Sequence, residues 1–213
     1  MTAILFDLDG TISNSISNIL HACYLSCQDL NVPFEENTFL SYIGLPLLKT
    51  GELVLGKGRE EEYYSTYQKH FFATSAANPL QPYEGMIPLL HQLKRSHVKL
   101  ALVTSKSTRG TIHSLESLDL QGFFDIVVTS DSTKEHKPHP EPVLFGLQQL
   151  NETAQNGIFV GDSLHDMECG RAAGTRTGAV TWGANTKEEL RTANPTFLAD
   201  TPQELLDWLL QQI

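Results

Sequence analysis

The sequence predicts an α/β fold in which a parallel β-sheet is covered by helices on both faces, with a small helical unit inserted near its start. Three observations predict this fold. From residue 86 onward, short apolar strands alternate with helical stretches, as they do in parallel sheets. The segment 15–80 contains only helical patterns. Several strands end in polar clusters, and open α/β folds bind ligands at that edge of the sheet.

The composition is that of an ordinary soluble globular protein. The 213 residues are 40% hydrophobic and 19% charged, which suffices for one domain or for a domain with an insert. The formal net charge of −10 argues against nucleic acid or a membrane surface as the main partner. No apolar run reaches the ~18 residues of a membrane span, and no secretory leader is recognisable. The three cysteines lack CxxC spacing, so we expect reduced thiols and a cytoplasmic location.

The first strand, Ala3–Phe6, leads into the sequence Asp-Leu-Asp-Gly-Thr at residues 7–11. Asp7 and Asp9 would then lie at the ligand-binding edge of the sheet. Gly10 would let the backbone turn sharply and approach a ligand closely. A hairpin turn is the alternative, because Asp-Gly is a common turn pair. These residues alone do not separate the two interpretations.

The other elements are predicted from apolar periodicity and from breaks at Pro and Gly. Helical patterns cover 13–30, 35–42, 47–55 and 59–73, and the Pro- and Gly-containing connection 78–85 returns the chain to the core. Beyond it, helices are predicted at 86–95, 108–118, 140–150, 167–173 and 202–212, and strands at 98–103, 125–128, 157–160 and 177–181. Residues 1–14 and 81–213 would therefore form the α/β core, and residues 15–80 the helical insert.

Three of the predicted strands end in polar clusters at the same relative position: Asp7/Asp9, Thr104/Ser105 and Asp162/Asp166. Because the carboxyl ends of parallel strands lie side by side, we expect one shared crevice; chance is the alternative, since turns favour Asp and Ser. Two carboxylates ~4 Å apart repel by about 4 kcal/mol at an effective dielectric near 20, against a total stability of ~5–15 kcal/mol. A bound cation would relieve this repulsion, and all-oxygen ligands suit Mg²⁺. Protonation or salt bridges are the other remedy.

Lys137 stands in the proline-rich segment Lys137-Pro138-His139-Pro140. Proline restricts the backbone of the residue before it, and the next helix can begin near Pro140. A lysine held in this way could neutralise both a phosphoryl group and a nearby carboxylate. The alternative is an ordinary solvated loop lysine.

Four segments, in this order, resemble the motifs of the haloacid dehalogenase-like hydrolases: residues 7–11, 103–105, 137–138 and 161–166. The resemblance covers the whole chain. It is closest to phosphoglycolate phosphatase-like members, whose cap carries a segment similar to residues 42–47. It implies a three-layer α/β/α Rossmann-like core with a helical cap inserted between the first and second motifs. One departure is Asn14-Ser15, where relatives often have Asp-Ser; Asn14 could still cap the following helix.

The resemblance also implies a role for individual residues. Asp7 would be the nucleophile, Asp9 the general acid and base, and Lys137 would offset phosphoryl charge together with Mg²⁺. The implied catalytic set is Asp7, Asp9, Thr104 and Lys137; the implied substrate-binding set is Gly10, Thr11, Gly44, Ser105 and Lys106. The implied magnesium ligands are Asp7, the carbonyl of Asp9, Asp162 and Asp166.

The expected function is magnesium-dependent hydrolysis of a small phosphate monoester, similar to phosphoglycolate, through an aspartyl-phosphate. Asp9 favours phosphoryl transfer over dehalogenation, because a departing halide needs no proton. An inorganic pyrophosphatase and a β-phosphoglucomutase-like phosphotransferase are alternatives on the same core, and a non-catalytic binding protein is an alternative of another class. Lys49 could contact a second anionic group of the substrate, or it could simply be solvated. We expect a monomer or homodimer whose partner is the small-molecule phosphate substrate.

Overall fold

The computed structural model describes residues 2–213, and its core is a six-stranded, fully parallel sheet. The strands follow the order β3-β2-β1-β4-β5-β6 across the sheet. Their bounds are β1 Ala3–Phe6, β2 Lys99–Val103, β3 Ile126–Val128, β4 Gly157–Gly161, β5 Arg176–Val180 and β6 Phe197–Ala199. The predicted α/β fold class is confirmed.

Helices account for most of the remaining chain. Four of them lie within the segment predicted as the insert: α1 Ile16–Asp29, α2 Glu36–Tyr42, α3 Leu47–Leu55 and α4 Glu60–Ala77. The others alternate with the strands: α5 Met86–Arg95, α6 Thr108–Ser117, α7 Glu141–Gln149, α8 Leu164–Ala173, α9 Lys187–Thr192 and α10 Pro202–Leu210. Within residues 2–213, no helix is both long and apolar enough to cross a membrane. The domain boundaries at residues 14 and 80 stay a prediction.

Alternation along the strands divides the core into two layers, because successive side chains point to opposite faces of a sheet. In β1, Ile4 and Phe6 pack into one hydrophobic cluster with α5 and α10, while Ala3 and Leu5 pack into another with α7 and α8. All four β1 side chains are fully buried. A strand covered on both faces reads as a continuous apolar run, which is why β1 was recognisable in the sequence.

The two connections between the core and the insert lie side by side. Ser13 forms an isolated antiparallel bridge with Pro82. Next to it, the Asn14 N–H donates to the Gln81 carbonyl at 2.8 Å. The outgoing and returning chains are therefore hydrogen-bonded to each other, and this short pairing is where the insert joins the core.

Two short elements near the C-terminus were not predicted. The helix α9 has six residues, of which only Leu190 is buried, and its N-terminus is formed by a capping box between Thr186 and Glu189. The strand β6 has three residues and pairs with β5 at the sheet edge. Both are shorter than the windows over which periodicity is informative. The helix predicted at 167–173 begins earlier, at Leu164, because Ser163 caps it.

Truncation of a buried core residue tests the layer arrangement. Leu90 of α5 is fully buried, whereas Leu144 of α7 is 43% exposed. We expect Leu90→Ala to lower the free energy of unfolding by about 2–5 kcal/mol, since it leaves a cavity. Leu144→Ala should cost less than about 1 kcal/mol. Urea unfolding followed by circular dichroism measures both, and equal losses would contradict the packing described here.

Candidate active site

The candidate site lies at the carboxyl ends of β1, β2 and β4, in the middle of the sheet. β1 has β2 on one side and β4 on the other, so successive crossovers leave it in opposite directions. Open α/β folds bind ligands at such a switch point. The structure brings the three predicted strand-end clusters together there.

The loop after β1 is packed tightly around one carboxylate of the neighbouring strand. Gly10 has a φ of +85°, and a Cβ atom built on it would lie 2.1 Å from Asp162 Oδ2. The Thr11 hydroxyl donates to Asp162 Oδ1 at 2.9 Å. Gly10 and Thr11, which were predicted to bind substrate, thus lie against Asp162 and help to fix its position.

A second loop closes over Asp162 from the other side, and the sequence analysis assigned it no role. The Ala184 N–H donates to Asp162 Oδ2 at 2.7 Å, and a Cβ atom on Gly183 would lie 2.2 Å from that same oxygen. Asp162 is therefore buried between two glycines. The signal available in the sequence was the pair Trp182-Gly183; the Trp182 indole donates to the Thr11 carbonyl at 3.0 Å.

Asp166 is positioned by the start of α8. Ser163 is the N-cap residue, and its side chain and that of Asp166 form a capping box. The Ser163 hydroxyl donates to Asp166 Oδ2 at 2.6 Å. Gly161 makes room for this arrangement, since a Cβ atom there would lie 2.4 Å from the Asp166 Cβ. The four-residue spacing from Asp162 thus reflects one residue at the strand end and one in the first helical turn.

Lys137 connects two of the carboxylates. Its Nζ lies 2.7 Å from Asp7 Oδ1 and 2.6 Å from Asp166 Oδ1, and the residue is only 2% exposed. Burial alone would lower the pKa of Lys137, but attraction to Asp166 and Asp7 outweighs it and raises this pKa above its ordinary value. The ammonium is therefore held charged between the first and last motifs.

Three buried carboxylates lie close together, and this single lysine balances only part of their negative charge. Oxygen atoms of Asp7, Asp162 and Asp166 all lie within 4.8 Å of one another. Burial raises the pKa of Asp7 well above its usual range, and repulsion from Asp166 and Asp162 adds to the effect, with Lys137 opposing it. Burial, with repulsion from Asp166, raises the pKa of Asp162 to about 7. A compact set of buried oxygen donors with excess negative charge fits Mg²⁺.

The Asp9 side chain is not part of this cluster and has its own partners. Its Oδ1 accepts hydrogen bonds from Lys106 Nζ at 2.8 Å and from the Ser15 hydroxyl at 2.7 Å. Lys106 Nζ also lies 4.4 Å from the centre of the Phe71 ring in the insert. Ser15, rather than Asn14, is the N-cap residue of α1, and it makes no side-chain cap bond. The expectation that Asn14 caps this helix was therefore wrong; binding of the Asp9 carbonyl to a metal stays a prediction.

The second motif connects the core to the insert. Thr104 is buried, and its N–H donates to the Val128 carbonyl at 2.9 Å. The Ser105 hydroxyl donates to the carbonyl of Gly44 at 2.5 Å. Gly44 has a φ of +97°, and a Cβ atom there would lie 2.9 Å from the Ser163 hydroxyl. Gly44 thus allows the insert to approach both the second and fourth motifs.

A cavity of about 100 Å³ lies between the core and the insert. Its core side is lined by Asp7, Asp9, Thr104, Ser105 and Lys106. Its insert side is mostly apolar and aromatic. The cavity therefore has charged and polar residues on its core side and mostly apolar residues on its insert side.

Comparisons with known proteins agree with this geometry. Residues 4–180 match the family described as haloacid dehalogenase-like hydrolase. The chain is 34% identical to the phosphoglycolate phosphatase of Aquifex aeolicus, covering 97% of this chain and 95% of that protein. It is 32% identical to pyrophosphatase PpaX of Bacillus anthracis, with the same two coverages. A haloacid dehalogenase-like family hydrolase from Streptococcus pneumoniae superimposes with a TM-score of 0.84 at 29% identity, over 98% of each chain.

Metal binding can be tested through stability. A ligand present at 100 times its dissociation constant adds about 2.7 kcal/mol to folding, which is roughly 5–10 °C in melting temperature for a chain of this size. We expect such a rise on adding Mg²⁺ to wild type and little or none in Asp162→Asn. Asp207→Asn, at an exposed carboxylate on α10, is the matched control and should respond like wild type. An equal rise in all three proteins would contradict the assigned ligands.

The pH dependence of the metal-free protein provides a second test. The pKa of Asp162 is raised to about 7 from an ordinary value of 3.8. Between these values the folded protein keeps a proton that the unfolded chain has released, so stability conferred by this group falls as pH rises. We expect the melting temperature of Asp162→Asn, minus that of wild type, to increase from pH 4 to pH 7 in EDTA. A difference that stays constant over this range would show that Asp162 is not strained by burial.

Proposed function

The chain belongs to the haloacid dehalogenase-like hydrolase family, and we propose that it is a magnesium-dependent phosphatase acting on a small phosphate monoester. The observation that carries this proposal is the contact of the buried Lys137 ammonium with Asp166 and with Asp7, the latter of which lines the cavity. A nucleophile beside a fixed cation, at the wall of a cavity, suits attack on an anionic phosphoryl group.

In the first step, an Asp7 carboxylate oxygen attacks phosphorus, and the bond from phosphorus to the ester oxygen breaks. The product is an acyl phosphate on Asp7, a known form of nucleophilic catalysis by carboxylates. Asp9, in its protonated form, gives a proton to the leaving oxygen, so that an alcohol departs. Lys106 and Ser15 fix the position of the Asp9 side chain, which lines the cavity.

In the second step, water attacks phosphorus and the bond to Asp7 breaks. Asp9, now ionised, accepts a proton from this water, and phosphate leaves while the Asp7 carboxylate is regenerated. Asp7 and Asp9 both line the cavity, as does Thr104, whose hydroxyl is available to a phosphoryl oxygen. The same two aspartates therefore serve both half-reactions.

The implied metal ion would be held by Asp7 and Asp162, with Asp166 direct or through water. When bound, it would neutralise charge on the phosphoryl group. Lys137 also neutralises charge on the phosphoryl group. Its ammonium reduces the repulsion between the carboxylates of Asp7 and Asp166. Thr11 and the Ala184 N–H fix the Asp162 carboxylate, so the metal ligands are in place before substrate binds.

A pyrophosphatase is the second candidate on this machinery, because a relative at 32% identity carries that name. Pyrophosphate would place a second phosphate toward the insert. A non-catalytic binding role is disfavoured, since a binder of phosphate has no need for a buried nucleophile, Asp9 and three converging carboxylates together. A phosphotransferase would differ by retaining phosphate on an organic product.

Substitution of the nucleophile tests the proposal. We expect Asp7→Asn to lower kcat/KM for phosphate release by at least about 1,000-fold, as removal of an attacking group does in other enzymes. Asp207→Asn should match wild type. Phosphate and alcohol measured in equal amounts, and lost when EDTA is added, would identify a metal-dependent hydrolase. Phosphate release that survives Asp7→Asn would overturn the covalent mechanism, and a phosphorylated organic product would indicate a transferase instead.

A further inference from the structure

We propose that the organic group of the substrate is compact, uncharged and apolar, and that it binds against the insert side of the cavity. The inference rests on the proposed phosphatase function and narrows its substrate class. It predicts that a simple alkyl phosphate is a better substrate than phosphoglycolate or pyrophosphate, whose second group is anionic.

The lining of the cavity supplies the first argument. On the insert side it consists largely of aliphatic and aromatic side chains, among them Ile19, Phe39, Leu47, Tyr67, Phe71 and Phe72. Besides the two tyrosines, Tyr42 and Tyr67, the polar side chains Thr50 and Gln68 of the insert line it, and these two have internal partners. Thr50 donates to the Pro46 carbonyl at 3.5 Å, and Gln68 donates to Tyr64 at 2.6 Å and to Ser107 at 3.3 Å. Such a surface favours an apolar group by removing it from water.

The positions of the basic residues supply the second argument. The insert contains four lysines and arginines, and none of them lines the cavity. Three are paired with carboxylates elsewhere: Lys49 with Glu52, Arg59 with Glu62, and Lys69 with Asp29. The fourth, Lys57, is exposed on the segment between α3 and α4. Lys49 therefore does not contact a substrate carboxylate bound in the cavity.

Among residues 2–213, Lys106 is the one lysine or arginine that lines the cavity, and it is already engaged. It bonds to Asp9 at 2.8 Å and to Ser114 at 3.3 Å, and it rests on the Phe71 ring. A second anionic group on the substrate would enter an apolar space beside Asp7 and Asp9 without a free cation. Burying a charge without a partner is costly, so the site selects against such substrates.

The size of the cavity limits the organic group. An engineered cavity of 150 Å³ in another protein admits benzene. The cavity here, at about 100 Å³, is smaller and must also admit part of the phosphoryl group. A group of a few carbon atoms fits this space.

The experiment compares kcat/KM for methyl, ethyl and propyl phosphate with that for 2-phosphoglycolate and pyrophosphate. We expect about a fourfold rise for each added methylene, from the transfer of that group out of water. Propyl phosphate should exceed both anionic substrates. Acetyl phosphate has a small activated leaving group, so it tests the phosphatase reaction by itself. If neither acetyl phosphate nor any other compound releases phosphate, the proposed function is overturned.

A pair of variants locates the organic group. Leu47 lines the cavity, and Leu48 is the next residue of α3 but is 41% exposed and does not line it. We expect Leu47→Arg to shift the ratio of kcat/KM toward 2-phosphoglycolate over propyl phosphate by tenfold or more, through a charge-assisted hydrogen bond. Leu48→Arg should leave that ratio unchanged.

The outcomes separate the two proposals. Activity on acetyl phosphate, together with 2-phosphoglycolate or pyrophosphate equal to or above propyl phosphate, would overturn the inference and leave the phosphatase standing. A Leu47→Arg protein that folds by circular dichroism but shows no shift in the ratio would contradict the location. If that variant fails to fold, the alkyl series on the wild-type protein decides the question.

Discussion

The site depends on one buried ammonium group. Lys137 is almost completely enclosed, and its Nζ lies within 2.7 Å of carboxylates on a strand end and on a helix. A buried charge is tolerated only with close partners, so Lys137, Asp7 and Asp166 require one another. They come from positions 130 and 29 residues apart along the chain. Lys137 therefore joins the carboxyl end of β1 to the first turn of α8.

Absent side chains matter as much as present ones at this edge. Gly10 and Gly183 leave free the space that the Asp162 carboxylate occupies, and Gly161 does the same for Asp166. Backbone and hydroxyl donors then orient these carboxylates, which carry more negative charge than Lys137 balances. The resulting strain appears as the raised pKa values of Asp7 and Asp162. A bound cation would relieve it.

The insert acts on the site through a few contacts across a narrow cavity. Gly44 accepts a hydrogen bond from Ser105, His165 lies 3.3 Å from the Ser41 carbonyl, and Phe71 packs beneath Lys106. Because Lys106 also bonds to Asp9, it links Phe71 of the insert to Asp9. At this cavity, the charged side chains thus belong to the core, and most of the apolar surface belongs to the insert.

The sequence by itself determined the fold class and placed Asp7, Asp162 and Asp166 at one sheet edge, while the resemblance of four motifs indicated the family and a position for Lys137 beside them. It could do so because buried parallel strands are continuous apolar runs, and because their carboxyl ends share one edge. Only the tertiary structure decided what surrounds these groups. The Ala184 N–H and Gly183 reach Asp162 from 22 and 21 residues away, by backbone and by the lack of a Cβ, and such contacts leave little side-chain pattern. Lys106 and Lys49 show the same limit, because a sequence does not reveal whether a lysine is already paired. In the structure, Lys106 forms an ion pair with Asp9, and Lys49 forms one with Glu52.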